Sequence, residues 1–369
     1  MSTPVEWAEW LRVDPEIRRA TTPSGRIYHD DAFFRAAAER ILARGWHLAG
    51  DLDRVRVPGA VLPRTLLPGA LDECIVFTRD AGDELHCLSN VCTHRGSTVV
   101  QGEGVLQSLR CRYHGRRFAL DGRFQSMPEF EDAQGFPRPE DDLPRVPWGS
   151  LGRLLFASVS PREPFERQVE PVLERVGWMP LDDFRLDPSR SRDYLVEANW
   201  ALYCENYLEG FHIPYVHVGL AAELDYGSYE TVLFDGGSVQ IAYADGGEAV
   251  LPLPAGSPDH GRDVAAYYFF LFPSTMLNFY PWGLSVNAVR PLSPTRTRVS
   301  FRSYVWKPEL LDRGAGAELD RVEREDEEVV EAVQVAVGSR LYPRGRYSPR
   351  RETGVHQFHR ELGRWLAEG

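Results

Sequence analysis

Residues 31–44 (DAFFRAAAERILAR) place apolar side chains at helical spacing and stop at Gly45, which predicts a helix with a glycine end. From Trp46 to Val159 the pattern changes to short β-type runs such as ECIVFTRD, ELHCLSNV, RRFALDGRF and GRLLFASVS, broken by Gly, Pro and Asp. That is the texture of a small all-β unit. The run Pro161–Pro164 predicts a boundary. Beyond it, helical patterns at 165–177, 197–212 and 316–338 alternate with strand-like runs at 229–243, 264–272, 276–289 and 297–306. The second part is therefore expected to be a mixed α+β domain. No internal repeat is present.

One stretch departs from this rhythm. Val264 to Val289 holds 26 residues without a formal charge, long enough to cross a bilayer as a helix. It also contains Pro273, Ser274, Thr275, Asn278, Pro281, Gly283 and Asn287, so it reads as two buried strands joined by turns, and no membrane association is expected. The composition is otherwise globular, with 43% hydrophobic, 11% aromatic and 26% charged residues. A net charge of −12, from 42 basic and 54 acidic residues, has the wrong sign for gripping phosphate backbones, which excludes nucleic acid as an expected partner. Cys74, Cys87, Cys92, Cys111 and Cys204 are too few for a secreted disulfide framework. Met1 to Arg12 lacks the basic start and apolar core of a signal peptide, and a reducing cytoplasm is expected. The Gly314–Leu319 run (GAGAEL) lacks the third glycine and the preceding strand of a dinucleotide loop.

Chemistry concentrates in two places. Cys92-Thr93-His94 and Cys111-Arg112-Tyr113-His114-Gly115 form C-x-H and C-x-x-H, separated by the 16 residues Arg95 to Arg110. Two thiolates and two imidazoles on two short loops can hold one metal or one cluster. Thiolates suit ferric iron and bridging sulfide, and two imidazoles on the second iron of a [2Fe-2S] pair raise its potential, which is the Rieske arrangement. A structural Cys2His2 zinc site is the competing assignment. Cys74 and Cys87 lie on apolar runs and read as core thiols, and His86 has no partner at ligand spacing.

The second place is Asn199-Trp-Ala-Leu-Tyr-Cys-Glu205-Asn206-Tyr-Leu-Glu209-Gly-Phe-His212-Ile-Pro214-Tyr-Val-His217. On a helix, Glu209 and His212 share a face, and Pro214 would end that helix and let His217 turn back. Two histidines and a carboxylate can hold non-haem Fe(II) with positions left open for O2. The helical stripe Leu319, Val322, Asp326, Val329, Val333, Val337 places a carboxylate on an apolar face, where a cation should meet it. Glu325, Glu327 and Glu328 fall off the stripe and are expected to face solvent; a rotated helix would send Asp326 there instead. His260, His356 and His359 are expected on the surface or in structural roles.

Taken together, these motifs resemble the oxygenase α subunits of the Rieske non-haem iron oxygenases over nearly the whole chain, with a likeness to the aromatic-ring-hydroxylating and quaternary-ammonium group. The resemblance implies an N-terminal helical segment (1–45) packing on the catalytic domain, an all-β Rieske [2Fe-2S] domain (46–160), and a helix-grip catalytic domain with an antiparallel sheet (161–369). It implies Cys92, His94, Cys111 and His114 as cluster ligands, and His212, His217 and Asp326 as ligands of a mononuclear Fe(II). Glu209 takes the position of an acidic bridge from an iron histidine to a cluster histidine of the neighbouring subunit, in a ring that is usually a trimer. The chain departs from the common C-P-[YF]-H-G-W pattern at Arg112 and Arg116.

The implied activity is hydroxylation or oxidative demethylation of a small aromatic or quaternary ammonium substrate with O2. No flavin or nicotinamide motif is present, so NAD(P)H would act only through a separate reductase, with or without a ferredoxin. A non-catalytic Rieske carrier and a zinc-stapled binding protein are the alternatives. Tyr267, Phe269, Phe279, Tyr280 and Trp282 are expected to line or underlie the active-site cavity. Six arginines against two acids between Val91 and Arg123, a local +4, suggest a docking patch for an acidic electron donor.

Overall fold

The computed structural model describes residues 3–217, 229–244, 249–311 and 319–368, without the side chain of Leu319. Most of the Gly314–Leu319 run thus lies outside the described residues. The chain divides into two compact units, residues 44–165 and a discontinuous unit of 1–43 with 166–369, and its class is α+β.

The unit 44–165 is built of short antiparallel strands. β1 (His47–Asp51), β10 (Leu154–Ala157) and β9 (Trp148–Leu151) form one sheet, and β4 (Leu85–Ser89), β3 (Glu73–Arg79), β2 (Ala60–Leu66) and β5 (Gly104–Val105) a second. A third holds β6 (Leu109–Arg110), β7 (Arg117–Phe118) and β8 (Phe124–Ser126). Successive residues of a strand face opposite sides, so β3 sends Ile75 and Phe77 into one core with Leu62, Cys87 and Leu155, and Val76 into another with Val61, Leu88, Cys92 and Cys111. Burial on both faces explains why ECIVFTRD reads as a continuous apolar run.

In the other unit, α1 (Pro4–Trp10) and α2 (Asp31–Arg40) precede α3 (Phe165–Val176), β11 (Arg185–Val196), α4 (Trp200–Tyr207) and α5 (Ile213–Val216). Then come β12 (Glu230–Phe234), β13 (Gly237–Tyr243), β14 (Val264–Leu271), β15 (Thr275–Tyr280), β16 (Gly283–Ser293), β17 (Arg296–Val305), α6 (Leu319–Val337) and α7 (Thr353–Glu368). One antiparallel sheet runs in the order β11-β17-β16-β15-β14-β13-β12. On it, Phe358 of α7 meets Phe270 edge-on at 5.6 Å, and Trp365 lies 4.9 Å from Phe272. Among the described residues, no helix is long and apolar enough to cross a membrane.

Several elements differ from the sequence expectation. α2 stops at Arg40 and a 3-10 turn covers Leu42–Arg44, so Gly45 is not the helix stop. The uncharged stretch holds β14, β15 and the start of β16 rather than two strands, because Pro281 and Trp282 sit in a second tight turn closed by the Tyr280–Gly283 pair. The run 229–243 is a hairpin, β12 and β13, and not one strand. β11 and α7 were not expected at all. β11 is a sheet edge with mostly exposed residues, Pro188 within it and a register shift between Asp187 and Arg192, so no alternation marks it. In α7 the apolar positions Val355, Phe358, Leu362, Trp365 and Leu366 do keep helical spacing, interrupted in the text by two glycines and two histidines.

Candidate functional site

In the unit 44–165, the two Cys-His segments fold into loops of one construction. The Cys92 N–H donates to the Ser97 carbonyl (2.8 Å) and the Gly96 N–H to the Cys92 carbonyl (3.0 Å). The Cys111 N–H likewise donates to the Arg116 carbonyl (2.9 Å) and the Gly115 N–H to the Cys111 carbonyl (3.0 Å). Gly96 and Gly115 have φ of +70° and +78°, which is why each loop carries a glycine four residues after its cysteine. The loops bring the two thiols within hydrogen-bond reach of each other, buried at 3% and 2% exposure, while the rings of His94 and His114 lie 4.8 Å apart and half-buried. Tyr113 stacks on His114 at 3.7 Å.

Arg116 is inside the unit. It is 2% exposed, donates to Asp141 Oδ1 at 2.7 Å and to the Asp141 carbonyl at 2.9 Å, and lies over the rings of Phe124, Phe118 and Phe136. It therefore leaves the docking patch expected from sequence, to which Arg95, Arg110, Arg112, Arg117 and Arg123 still contribute exposed side chains. Asp141→Ala, which strands the buried guanidinium, is expected to destabilise the protein by about 3 kcal/mol. Chemical denaturation of the holoprotein followed by the cluster's absorption checks this, and a change within 0.5 kcal/mol, about the spread of a neutral surface substitution, would mean the pair does not hold the fold.

His86, without a foreseen partner, takes Asp80 Oδ2 at 2.8 Å across the β3–β4 turn. Asp80, Glu84 and His86 offer three close ligand atoms, but Asp80 Oδ1 is already engaged by the Gly82 and Glu84 amides of that turn.

In the other unit, α4 begins at Asn199, whose side chain accepts the Ala201 N–H at 2.9 Å. Its C-terminal end is fixed to the sheet, because the Tyr207 hydroxyl donates to Asn278 Oδ1 at 2.6 Å and Gln240 donates to the Tyr207 carbonyl at 2.7 Å. α4 ends at Tyr207, so Glu209 and His212 lie in a turn and not on a helix, and Pro214 opens α5 rather than closing α4. The missing N–H of proline costs nothing in a first helical turn. Glu209 organises the turn: Oε2 accepts the Phe211 and His212 amides, the latter at 3.1 Å, and Oε1 faces His212 Nδ1 at 2.8 Å.

His212 Nε2, His217 Nε2 and an Asp326 oxygen converge. Asp326 Oδ1 is 3.4 Å from His212 Nε2 and 3.1 Å from His217 Nε2, and the three ligand atoms all lie within 4.8 Å of one another. His217 Nδ1 in turn faces Glu325 Oε2 at 2.7 Å. Both histidines thus point one nitrogen at a common centre and the other at a carboxylate, the pattern in which the outer carboxylate fixes tautomer and ring orientation for a metal. Burial of the His217 ring works against protonation, but Asp326 and Glu325 outweigh it and raise its pKa, so a proton and a metal compete for this imidazole.

α6 is rotated relative to the expected stripe. Its buried positions are Glu323, Val330, Gln334 and Val337, with Val333 41% exposed and Asp326 on the flank of the buried face. Glu325 consequently reaches His217 instead of solvent. Glu327 is half-buried, and Glu328 is exposed as expected. Glu325→Ala is expected to weaken iron binding about 10–100-fold while leaving the cluster intact. Metal competition titrations check this, and unchanged affinity would show that His217 needs no outer carboxylate.

A cavity of about 130 Å³ opens beside this centre. It is lined by Tyr203, Tyr207, Tyr229, Tyr268 and Tyr280, by Phe301, by Asn206, Gln240, Asn278 and Asn287, and by Glu209, Glu323 and Asp326 among others. Among the described residues lining it there is no lysine or arginine. Strand parity decides which aromatics reach it. Tyr268 pairs with Asn278 on the cavity face, so Tyr267, Phe269 and Phe279 fall on the opposite face as core, and of the two places expected for them they do not take the lining one. Tyr280 does line the cavity, and Trp282 stacks behind it at 5.1 Å. Sequence reasoning missed Tyr203, Glu323 and Glu325. Elsewhere His260 is exposed, His356 Nε2 donates to the Asp14 carbonyl at 2.8 Å, and His359 is buried against Glu205 and Tyr347.

Residues 177–368 match the family profile for the ring hydroxylating alpha subunit (catalytic domain), and residues 46–137 that for the Rieske [2Fe-2S] domain. The chain is 31% identical over 367 residues to choline monooxygenase, chloroplastic, of Arabidopsis thaliana, covering 94% of this chain and 83% of that protein. It is 25% identical to the carnitine monooxygenase oxygenase subunit of Escherichia coli (strain K12), covering 88% and 86%. The fold matches that of a quaternary ammonium Rieske monooxygenase with a TM-score of 0.76 at 22% identity, over 99% of both chains. It also matches naphthalene 1,2-dioxygenase from Rhodococcus sp. with a TM-score of 0.73 at 17% identity, over 95% of both.

Proposed function

The chain belongs to the ring-hydroxylating Rieske oxygenases, and from that premise we propose that it oxidises a small quaternary ammonium compound. It is a terminal oxygenase component rather than a bare Rieske carrier. In our reading residues 46–160 carry the cluster on Cys92, His94, Cys111 and His114, residues 161–369 the mononuclear Fe(II) on His212, His217 and Asp326, and residues 1–45 pack on the latter. The two thiols meet each other and the two imidazoles form a pair of their own, an arrangement of one thiolate pair and one imidazole pair that suits the two irons of a cluster. The convergence of two imidazoles and one carboxylate suits Fe(II).

When bound, the cluster supplies single electrons and the ferrous ion activates O2. The chain's own residues do the rest. Glu209 and Glu325 hold the imidazole nitrogens in position, the tyrosines wall off water, and Asn206 and Asn278 offer polar contacts to an uncharged end of the substrate. The single observation that carries the substrate class is the cavity wall, which has five tyrosines and three carboxylates and no cationic side chain among its described residues. Electron-rich rings and carboxylates both favour an onium group, the rings by about 0.5–2 kcal/mol each way of contact.

Electrons are proposed to come from NAD(P)H through a separate reductase, with or without a ferredoxin, and the working form to be a homotrimer. Five free cysteines suit a reducing compartment, which we take to be the cytoplasm.

The reconstituted protein is expected to hold three irons per chain, two in the cluster and one mononuclear, with a Rieske EPR signal on reduction. Oxygen uptake with a promiscuous reductase should be driven by choline or carnitine. Substantial zinc without a Rieske signal would end the metal assignment, and uptake driven by naphthalene but by neither cation would assign the cavity to neutral aromatics.

A further inference from the structure

Among the carboxylates on the cavity wall, Glu323 has no role in holding a histidine. Glu209 is engaged with His212, and Asp326 with both imidazoles. Glu323 sits one turn before Asp326 on α6, lines the cavity, and is 4% exposed. Both its oxygens face one hydroxyl, that of Tyr203, at 2.8 and 2.7 Å. A single O–H shared by two carboxylate oxygens is a thin return for removing a full charge from water. Buried carboxylates are ordinarily met by a cation, and among the described residues none meets this one.

The iron does not fill that role. The charge of a ferrous ion is already met by Asp326 at the centre and by Glu209 and Glu325 behind the two imidazoles. With no cation beside it, burial, together with Asp326, Glu327 and Asp320, pushes the Glu323 carboxyl well above the usual range and towards the neutral acid, and the Tyr203 hydroxyl alone works in the other direction. A cationic head in the cavity would favour the carboxylate. The side chain is thus held, uncompensated by any protein cation among the described residues, at the wall of a cavity whose remaining surface is largely tyrosine.

We propose that Glu323, positioned by Tyr203, is the counter-ion for the cationic head of the substrate and sets the enzyme's preference for charged over neutral molecules of the same shape. The inference rests on the quaternary ammonium reading above and goes further, because it assigns most of the charge discrimination to one side chain of the cavity wall. The tyrosine walls contact a trimethylammonium and a tert-butyl group over the same area and add a cation–π preference of about 0.5–2 kcal/mol, whereas Glu323 opposes the cation with a charge of its own. Tyr203 is a positioning residue, and Glu323 a specificity-determining one.

The test uses holoprotein loaded with cluster and iron, and calorimetric dissociation constants for choline and for its uncharged analogue with carbon in place of nitrogen. In the unsubstituted protein choline should bind at least about 10-fold more tightly than the analogue. Glu323→Gln should remove most of that preference by weakening choline about 10-fold, with the analogue changed less than about 2-fold and the iron content unaltered. Glu323→Asp, which keeps the charge and draws it back, should give an intermediate preference, and it carries the test if the Gln variant does not yield folded holoprotein. Equal preference in the unsubstituted protein would overturn the quaternary ammonium reading itself. A normal preference there that survives in Glu323→Gln, or parallel losses of choline and analogue in Glu323→Asp, would overturn the assignment of Glu323 alone.

Discussion

Asp326→Ala is expected to empty the mononuclear site while the Rieske spectrum persists. Asp326 is the one anionic member of the converging group, and its Oδ1 stands 3.1 and 3.4 Å from the two imidazole nitrogens that share the centre. Without it, a divalent ion would be offered two neutral nitrogens and no charge compensation at contact distance. The outer carboxylates cannot substitute, since Glu209 and Glu325 are turned to the far nitrogens of the rings. Loss of an outer carboxylate costs about 10–100-fold in metal affinity, and loss of a ligand with its charge should exceed the upper end of that range. Metal analysis after desalting should fall from three irons per chain to two, with product formation abolished. The cluster's donors belong to the other unit of the chain, so its EPR signal should be unchanged. A variant that keeps the third iron and full turnover would mean that the metal carboxylate lies elsewhere, with Glu323 or Glu325 the first to examine.

How much of this could be read from the chain alone depended on how local each signal is. The Cys-His loops were legible because their chemistry and their glycines are contiguous in sequence, and the fold repeats the same turn at Cys92 and Cys111. Asp326 was found through an apolar stripe, yet the helix is rotated by about one position. Val333 is exposed, while Glu323 and Gln334 take buried places that their polarity argued against. Those burials are satisfied by partners far away in sequence, Tyr203 for Glu323 and the Asn199 amide and Tyr28 carbonyl for Gln334. A hydrophobic period cannot anticipate a polar side chain whose partner is supplied by another element. Strand parity was hidden for a related reason. Within a run as uniformly apolar as 264–289, nothing marks which alternate set faces the cavity until Asn278 is paired with Tyr268. Arg116 shows the limit of counting charges, because a guanidinium closed in by three phenylalanines and an aspartate contributes nothing to an outer surface.

Glu209→Gln is expected to slow electron delivery to the iron by about 10–100-fold while most of the iron stays bound. The carboxylate is suited to its turn because it only accepts. Oε1 meets His212 Nδ1 and Oε2 meets two backbone amides, three donors in all. A glutamine has one accepting atom. If its oxygen takes the amides, its NH2 confronts the His212 N–H; if it turns round, the NH2 confronts the amides of Phe211 and His212. Either way a donor faces a donor, at about 1–3 kcal/mol for each group left unsatisfied. His212 Nε2 can still bind metal, but the ring loses the negative partner that raises its basicity. In the proposed trimer the consequence is larger, because the remaining lone pair on Oε1 is the acceptor available to a cluster histidine of a neighbouring copy, and a glutamine that keeps its oxygen on the two backbone amides presents an NH2 there, which accepts from neither histidine. Stopped-flow mixing of reduced protein with O2 and substrate separates the two effects. Reoxidation of the cluster should slow, whereas cluster absorption and oligomeric state should not change and most of the iron should remain. Cluster reoxidation at the unsubstituted rate would show that electrons bypass Glu209, and a fully active monomer would remove the need for any path between copies.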